Sequence, residues 1–365
     1  MRVLMTGGGT AGHVNPAIAI ANTIKKHNPE AEIAFVCSSQ KSDKAQDLVT
    51  RAGYELYRVN ICGSYQIWNL KNIKTLILMA VSAGQARRLI GEFKPDVIIG
   101  TGGFACYPVL NEGAKMGIPT LVHESNAIPG RAVRKLSPKI DCVMTNFQST
   151  TDLIKNAKRL VRVGNPSLFE AKPVSLSDKS EGDFDKRVIS FGGSGGAENL
   201  NSEMCRSIET LADEFPRTQF YHAAGKRDYA RIKAEFEAHG LDKKPNVVLV
   251  DYIYDMDKRM TEADLVVCRA GAMTISETAL LGKAAIFVPS PFVAANHQYK
   301  NAKALYDAGA GELVEEREFS DGRLTDAIRS LLRDDRRREE LGKNIRAFAE
   351  ADANEQIYGE IKRLL

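Results

Sequence analysis

Met1–His13, MRVLMTGGGTAGH, places a short apolar strand directly before a glycine-rich loop. Pro16 and the apolar residues spaced through 18–24 then predict a helix. A strand, a glycine loop and a helix in this order bind anions, because backbone N–H groups and the helix dipole converge on one point. The opening of the chain therefore predicts the first unit of a parallel α/β sheet with a phosphate site.

The same pattern begins again at Arg187–Ala197, RVISFGGSGGA, which echoes residues 2–9. The polar stretch Lys172–Lys186 before it contains few apolar residues and predicts a linker or surface loop. With 365 residues, the chain is long enough for two domains that each have their own core. We therefore expect an α/β protein with two Rossmann-like, doubly wound parallel-sheet domains that face across a cleft, a preferred place for ligands.

Further apolar runs predict the other strands. The expected strands are 1–5, 31–37, 54–59, 95–100, 118–122, 141–145 and 160–163 in the first half, and 219–223, 247–250, 265–268 and 284–288 in the second half after its opening strand. The tail from Leu324 onward predicts charged helices, of which the last packs back on a domain. We accordingly place the N-terminal domain at 1–163, joined by a C-terminal helix at 343–365, and the C-terminal domain at 164–342.

Ligands of doubly wound sheets bind at the carboxyl ends of the strands. Gly7–Gly12, Gly102–Phe104 and His123–Asn126 all follow expected strands, so they should face one crevice. His13 would lie at the mouth of the first loop, where a histidine is suited to proton transfer near neutral pH. The alternative for His13 is a residue that only hydrogen-bonds at a helix start. Glu124 is either a general base or a polar residue at a strand end.

Leu265–Glu277, LVVCRAGAMTISE, predicts a buried strand, a glycine turn and a helix that opens at Thr274. An acid at the start of a helix favours the helix dipole, and Glu277 could accept hydrogen bonds from two vicinal hydroxyls, as on a ribose. Taken alone, the stretch favours a structural strand–turn–helix with one exposed Glu. Together with Asp251–Met256 upstream and Ala295–Gln298 downstream, it predicts a pocket for a sugar nucleotide.

Composition narrows the class of protein. A net charge of +4 is too small to indicate a nucleic-acid partner. We find no zinc-ligand cluster, Walker A lysine or Ser-His-Asp pattern, and therefore expect no metal site. The cysteines form no Cys-x-x-Cys pair, and several lie in apolar runs, which predicts reduced, buried thiols in a cytoplasmic protein. The six cysteines are Cys37, Cys62, Cys106, Cys142, Cys205 and Cys268.

No signal peptide is recognisable at the start of the chain. The longest largely apolar run, Leu76–Ala83, is too short to cross a bilayer. Gln66–Ile90 interleaves aliphatic residues and the single tryptophan, Trp68, with lysines and arginines. This segment is either an amphipathic core helix or a membrane-interface patch. We expect a protein that is soluble, or at most attached to a membrane surface.

These motifs together resemble the MurG family, inverting transferases of the GT-B fold that move GlcNAc from UDP-GlcNAc to lipid I and so form lipid II of bacterial peptidoglycan. The resemblance spans nearly the whole chain. Its most specific motifs are Gly8–His13, His123–Asn126, Gly164–Pro166, Gly192–Ser194 and Cys268–Glu277, and Ile253–Met256 and His297–Ala302 fit as well.

The resemblance implies that the C-terminal domain holds UDP-GlcNAc and the N-terminal domain binds undecaprenyl-linked lipid I. It implies no cofactor, and a peripheral location at the cytoplasmic face of the cell membrane, on an anionic membrane surface. The implied catalytic residues are His13, which deprotonates the muramyl 4-hydroxyl, and Asn126, which positions substrate. The implied donor-binding residues are Thr10, Gly12, Asn126, Ser194, Ile253, Arg269, Thr274, Glu277, His297 and Gln298, and the implied acceptor-binding residues are Gly9, Gly12, Gly103 and Phe104.

Within the implied donor site, backbone atoms near Ile253 read uracil and Glu277 takes the ribose hydroxyls. Ser194 and its loop amides take the diphosphate, while His297 and Gln298 hold GlcNAc hydroxyls. Helix N-termini, with Arg269 nearby, supply positive potential for the leaving UDP without a metal.

Four positions in three motifs depart from the family pattern. Ser167 and Leu168 follow Gly-Asn-Pro, where a small apolar residue and an arginine are common. Gly195 replaces a usual glutamine, and Phe104 replaces a common tyrosine. The missing arginine and glutamine remove groups expected near the diphosphate or the sugar of the donor.

Two rival functions keep the same architecture. A UDP-GlcNAc 2-epimerase would retain the donor pocket but needs carboxylates that flank the sugar ring. A non-catalytic sugar-nucleotide-binding relative would have lost its acceptor site. His13 and the candidate lipid-facing segment favour the transferase.

Overall fold

The computed structural model describes residues 1–40, 45–60, 73–169, 184–193, 196–293 and 296–365. The chain divides into two compact units. Unit 1 comprises Met1–Leu168 and Glu350–Leu365, and unit 2 comprises Phe169–Ala349.

Unit 1 contains a seven-stranded parallel sheet in the order β3-β2-β1-β4-β5-β6-β7. Its strands are β1 (Arg2–Thr6), β2 (Glu32–Ser38), β3 (Glu55–Val59), β4 (Val97–Gly100), β5 (Thr120–Glu124), β6 (Cys142–Thr145) and β7 (Leu160–Arg162). Its helices are α1 (Ala11–His27), α2 (Ala45–Arg51), α3 (Ile73–Phe93), α4 (Cys106–Lys115), α5 (Arg131–Leu136), α6 (Gln148–Leu153) and, at the end of the chain, α14 (Ala353–Leu364).

Unit 2 contains a six-stranded parallel sheet in the order β10-β9-β8-β11-β12-β13. Its strands are β8 (Lys186–Phe191), β9 (Thr218–Ala223), β10 (Val247–Val250), β11 (Leu265–Cys268), β12 (Ala285–Phe287) and β13 (Glu312–Leu313). Its α-helices are α7 (Glu198–Glu214), α8 (Tyr229–Ala238), α9 (Met256–Glu262), α10 (Ala272–Leu281), α11 (His297–Asp307), α12 (Arg323–Arg333) and α13 (Asp335–Ile345). Short 3₁₀ turns lie at Leu241–Lys243, Glu316–Asp321 and Arg346–Phe348.

Helices cover both faces of each sheet, so the central strands are apolar throughout rather than alternating. In β1, Val3 and Met5 enter the core formed with α1 and α14, whereas Leu4 enters the core formed with α3 and α4. In β8, Val188 packs with α7 and α12 while Ile189 packs with α10 and α11. This double covering confirms the expected doubly wound architecture in both units.

The strand order reverses between β1 and β4 in unit 1 and between β8 and β11 in unit 2. Loops that leave neighbouring strands in opposite directions open a crevice at such a point, which is where ligands of open α/β sheets bind. The glycine loops after β1 and β8 both lie at these switch points. The fold therefore indicates the same two glycine loops as ligand-binding sites that the sequence predicted.

The expected domain limits, 163/164 and 342/343, differ by a few residues from the limits of the two compact units, which lie at 168/169 and 349/350. Residues up to Leu168 stay with unit 1 because the Ser167 backbone N–H and C=O are both bonded by the side chain of Asn354, at 3.0 Å and 2.9 Å. Residues 343–349 stay with unit 2, where Ile345 is buried in the core and Asn344 Nδ2 donates to Gly309 O at 2.9 Å.

The expected single helix at 343–365 is wrong. Helix α13 ends at Ile345, a 3₁₀ turn follows, and α14 begins at Ala353. Ile357 and Ile361 of α14 are buried in the core of unit 1. The paired hydrogen bonds from Arg159 to Glu360, at 2.5 Å and 2.9 Å, fix this helix there and hold the pKa of that carboxyl below its usual range.

Two other expectations fall wholly or partly outside the described residues. The linker at 172–186 is described only from 184, and the segment 66–90 only from 73. In the described part of that segment, Ala86 and Ile90 of α3 are buried while Arg87 and Arg88 are exposed, which fits the core-helix interpretation for this end. Of the cysteines, all but Cys62, which is not described, are buried as expected, and none of these five forms a disulfide within the described residues.

Candidate active site

His13 lies in the first turns of α1, directly after the β1 glycine loop. Its Nδ1 lies 3.0 Å from the carbonyl oxygen of Thr101, and the Thr101 hydroxyl donates to the His13 carbonyl at 2.6 Å. Because a carbonyl can only accept, Nδ1 must carry the proton in this hydrogen bond. The other ring nitrogen, Nε2, then presents its lone pair. The half-buried imidazole is thus held in the tautomer that can act as a base.

The two glycine turns of unit 1 approach each other closely. A Cβ on Gly103, whose φ is +84°, would lie 2.3 Å from the Gly8 carbonyl, and a Cβ on Gly102 would lie 2.8 Å from His13 Nδ1. Only glycine fits these positions. The structure therefore brings the expected acceptor-site loops to one edge of the sheet, around His13. Gly9 and Gly103 are partly exposed there, and Thr10, Gly12 and Phe104 are exposed.

Glu124 is an anchor for its own loop. Its carboxylate accepts from the Asn126 backbone N–H at 3.0 Å, from Asn126 Nδ2 at 2.9 Å and from the Gly130 N–H at 2.7 Å. The side chain is buried. These bonds favour the polar strand-end interpretation over a general base. They also orient the Asn126 amide: one N–H of Nδ2 donates to Glu124, and the second N–H and the amide oxygen remain for a ligand.

His123, at the end of β5, is also structural. Its Nε2 donates to the Gly164 carbonyl at 2.7 Å, and Nδ1 lies 3.3 Å from the Ser125 hydroxyl. Complete burial lowers the pKa of this imidazole to about 4, so it is neutral near pH 7. The expected crevice-facing motif 123–126 therefore divides into two buried anchors, His123 and Glu124, and a partly exposed Asn126.

In unit 2 a cavity of about 480 Å³ opens beside the β8 glycine loop. Of the expected donor-binding residues, Arg269, Thr274 and Gln298 line it. Gln298 Oε1 accepts from the Ser290 backbone N–H at 2.9 Å, which turns its amide NH₂ toward other acceptors. Ser194 and its neighbour Gly195 lie outside the described residues.

Arg269 is bound differently from what we expected. Its guanidinium pairs with Glu316 and donates to the carbonyls of Val288 at 3.2 Å and Pro289 at 3.3 Å. The Arg269 and Glu316 side chains are only 12% and 10% exposed. Because a close carboxylate neutralises most of its charge, Arg269 contributes less positive potential to the cavity than the sequence suggested.

Glu277 lies in the second turn of α10, because the helix begins at Ala272 and not at Thr274. Gly271, in an extended conformation, ends the turn after β11 and so starts the helix earlier. No acid is present in the first turn, and Glu277 is therefore not stabilised by the helix dipole as we expected.

The surroundings of Glu277 leave its carboxyl open to a ligand. Burial raises the pKa of this carboxyl to about 8, and it has no hydrogen-bond or ion-pair partner within the described part of the chain. The Tyr252 ring packs 4.9 Å from that of Tyr254. Burial, and after it the charge of Glu277, raises the pKa of Tyr252 above its ordinary value of 10. A partly buried acceptor with no protein donor is what a ligand with hydroxyl groups requires.

Two further expected donor residues, Ile253 and His297, also lie in unit 2. Ile253 is buried between the two tyrosines in the chain, and His297 is the first residue of α11. Neither lies among the residues that line the 480 Å³ cavity. The expected donor set is therefore split, with Thr10, Gly12 and Asn126 in unit 1 and the others in unit 2.

Sequence reasoning missed three charged residues that line the cavity, Glu198, Arg227 and Glu316. Arg227 follows β9, a position at the carboxyl end of a strand that could have been noticed. Glu316 lies in a charged run after β13, where no local pattern marks it.

Comparisons with known proteins identify the same kind of enzyme over both halves of the chain. Residues 3–145 match the Glycosyltransferase family 28 N-terminal domain, and residues 187–357 match the Glycosyltransferase family 28 C-terminal domain. A "UDP-N-acetylglucosamine--N-acetylmuramyl-(pentapeptide) pyrophosphoryl-undecaprenol N-acetylglucosamine transferase" of Acetivibrio thermocellus is 38% identical, over 100% of this chain and 98% of that protein. The transferase of the same name from Bacillus licheniformis is 32% identical, over 100% and 99%.

Solved structures show the same relationship. The crystal structure of Acinetobacter baumannii MurG superposes with a TM-score of 0.73 at 25% identity, over 99% of both chains. A UDP-GlcNAc 2-epimerase from Neisseria meningitidis, solved with UDP-GlcNAc, shares the fold alone, at 14% identity and a TM-score of 0.67 over 100% of both chains. Full-length identity of 38% to a named relative, two matched family 28 domains and two doubly wound units together place this chain in the MurG family of glycosyltransferases.

Proposed function

We propose that this chain is a UDP-GlcNAc-dependent N-acetylglucosaminyltransferase that moves GlcNAc to the muramyl 4-hydroxyl of lipid I and forms lipid II in peptidoglycan synthesis. The observation that carries the proposal is full-length similarity to transferases of that name. The held tautomer of His13 adds a base where the acceptor site is expected.

In the proposed reaction the muramyl O4 attacks C1 of GlcNAc on the face opposite to UDP. The C1–O bond breaks and its electron pair leaves with UDP, which gains negative charge. His13 Nε2 takes the proton from O4, and the Thr101 carbonyl stabilises the resulting imidazolium through Nδ1–H. Attack from the opposite face inverts the configuration at C1.

On the donor side, Glu277 accepts from the ribose hydroxyls and Ile253 offers its backbone to uracil. The NH₂ of Gln298 donates to a GlcNAc hydroxyl, next to His297. The Gly192–Gly193 turn and the N-terminus of α7 offer N–H groups to the diphosphate. We propose that the reaction uses no cofactor, because these groups together can stabilise a leaving diphosphate.

The 2-epimerase alternative needs free carboxylates beside the sugar. Glu316, which lines the donor cavity, is engaged by Arg269 and by Asn199 Nδ2 at 2.6 Å. Glu124 in unit 1 is saturated by its own loop. The engagement of these two carboxylates favours the transferase. Glu198 also lines the cavity, and the product of the reaction decides between the two functions.

The product of the reaction tests the proposal. Incubation with UDP-[¹⁴C]GlcNAc and a soluble lipid I analogue should yield a disaccharide in which GlcNAc is joined to O4 of the muramyl sugar with inverted configuration. A labelled N-acetylmannosamine product, or label that never enters the acceptor, would contradict it.

We further propose that the protein works at an anionic membrane surface, since lipid I is membrane-bound. We propose no nucleic-acid partner. Within the described residues, no helix is long and apolar enough to cross a bilayer. The cytoplasmic face is the proposed location, as the resemblance to the MurG family implies.

Vesicle binding should depend on the segment around Trp68, which lies outside the described residues. Each basic residue near an anionic leaflet contributes about 1 kcal/mol, and salt screens this attraction. Trp68→Ala, and Lys71→Glu with Lys74→Glu, should therefore weaken co-sedimentation with anionic vesicles at low salt. A lower melting temperature of Trp68→Ala with unchanged vesicle binding would instead identify Trp68 as a core residue.

An arginine at position 168 should strengthen the donor site if that position neutralises the diphosphate in the family. Leu168 is 41% exposed, and Arg162, the nearest preceding arginine, is already paired with Glu350. We expect Leu168→Arg to raise UDP-GlcNAc affinity or activity by up to about tenfold, as for a hydrogen bond to a charged group. Leu168→Gln is the uncharged control. Equal values for the two variants would show that another cation serves this role.

A further inference from the structure

Arg227 lies in the turn between β9 and α8 and lines the donor cavity together with Gly193 and Gly196. Its side chain is 70% exposed. The turn leaves the carboxyl end of β9, which neighbours β8 in the sheet. Arg227 thus reaches the cavity from the strand next to the glycine loop, on the side where a diphosphate would meet that loop.

The buried carboxylate of Asp228 positions the Arg227 side chain. Arg227 Nε donates to Asp228 Oδ1 at 3.0 Å, and the other oxygen, Oδ2, accepts from Asn201 Nδ2 at 3.3 Å. The Asp228 side chain is 9% exposed. A Cβ on Gly196 would lie 2.8 Å from Asp228 Oδ2, so Gly196 packs directly against this carboxylate.

This bonding leaves the useful part of the guanidinium open. The contact to Asp228 uses Nε, and the terminal Nη1 and Nη2 have no partner in the ranges that the structure describes. These two nitrogens form the planar fork that binds two phosphate oxygens at once. Holding Nε fixes the plane of the fork before a ligand arrives, which reduces the entropy lost on binding.

The other arginine in the cavity wall is less available. Arg269 is paired with Glu316 and bonded to two backbone carbonyls. Both cavity-lining arginines are paired with a carboxylate, but Arg269 uses its terminal nitrogens in these contacts, whereas Arg227 uses only Nε. Of the two, Arg227 is therefore the one whose terminal hydrogen-bond donors are open to a ligand.

We propose that Arg227 binds the diphosphate of the donor and stabilises it as it leaves, with Asp228 as its positioning residue. The inference rests on the proposed function, since it assigns a residue to the donor site. As the C1–O bond breaks, the diphosphate gains charge that Arg227 Nη1 and Nη2 neutralise. Arg227 therefore contributes to turnover as well as to binding.

The test compares UDP with uridine, which lacks the phosphates. Charge-assisted hydrogen bonds are worth enough that Arg227→Gln should weaken UDP binding roughly 10–100-fold in calorimetry, with uridine affinity unchanged. The salt dependence of UDP binding should also become shallower, because one cation is lost. Arg227→Lys, which keeps the charge but not the fork, should fall between the wild type and Arg227→Gln.

Arg231→Gln is the matched control. Arg231 lies one turn further along, on α8, and its Nη1 donates to Ser202 Oγ at 2.9 Å and to Glu235 at 3.2 Å. It does not line the cavity, so this variant should bind UDP as the wild type does. Unchanged UDP affinity in Arg227→Gln, or an equal loss for UDP and uridine, would overturn the assignment of Arg227. If the wild type binds neither compound, the proposed donor site itself is wrong.

Discussion

His13→Ala is expected to lower kcat by about 10²–10⁴-fold, the usual contribution of a general base. The Thr101 carbonyl fixes the proton on Nδ1, so the lost group is the Nε2 lone pair that would take the proton of the acceptor hydroxyl. UDP affinity should stay unchanged, because His13 belongs to unit 1 and the donor cavity belongs to unit 2. Steady-state kinetics and UDP calorimetry on the same preparation measure both quantities.

His27→Ala provides a control on the same helix. His27 lies at the last residue of α1, where it contacts Glu355 at 2.7 Å, and it should affect stability without affecting turnover. If His13→Ala lowers only the melting temperature and retains its kcat, then His13 is merely a hydrogen-bonding residue at a helix start.

Glu277→Ala should weaken UDP binding at least tenfold. Each hydrogen bond from a ribose hydroxyl to the carboxylate is worth roughly 1.5–3 kcal/mol, and α10 carries no second carboxylate that could replace Glu277. 2′,3′-Dideoxy-UDP should bind the wild type and Glu277→Ala equally, since it lacks both donors. Unchanged UDP affinity in the variant would remove Glu277 from the ribose site.

The raised pKa of Glu277 makes this binding depend on pH. Burial raises the carboxyl pKa to about 8, so the empty site is mostly protonated at neutral pH. Ribose hydroxyls favour the charged form, so UDP binding should release a proton near pH 7. Affinity should rise with pH and level off above about pH 8. Glu277→Gln should remove this pH dependence of UDP affinity. The neighbouring Tyr252 does not cause it, because the pKa of Tyr252 is raised from 10 and so lies above this pH range.

The stability of the empty protein should change in the opposite direction. The folded state keeps the Glu277 proton up to about pH 8, whereas the unfolded chain loses it near its ordinary value of 4.5. The folded state binds more protons between these values, so the free energy of unfolding falls as pH rises through that window. In thermal melts, the melting temperature of the wild type should therefore fall as pH rises through this window, and this part of the pH dependence should be absent from Glu277→Gln.

The fold could be predicted from the sequence because buried parallel strands are continuous apolar runs. Val247–Val250 and Leu265–Cys268 coincide with the expected strands. The restart of the pattern at Arg187 predicted the second sheet, which begins with β8. β13 was missed, since Glu312–Leu313 is a two-residue strand with no apolar run of its own.

The site was harder to predict, since it depends on partners that are distant in sequence. Whether Glu124 is a base or an anchor is decided by donors up to six residues later. The pairing of Arg269 with Glu316 joins residues 47 positions apart, and no local pattern indicates it. The start of α10 depended on an extended Gly271, which moved Glu277 from the helix start to the second turn. Residue types were visible in the sequence, but their hydrogen bonds were not.

UDP release measured with and without a soluble lipid I analogue tests the central claim most directly. The transferase account predicts that UDP appears from UDP-GlcNAc only when the acceptor is present, in step with acceptor glycosylation, and that His13→Ala abolishes most of this release. UDP release that is independent of the acceptor would indicate epimerase-like cleavage of the donor. Binding of UDP-GlcNAc with no release under either condition would indicate a non-catalytic relative, and either result would contradict the account.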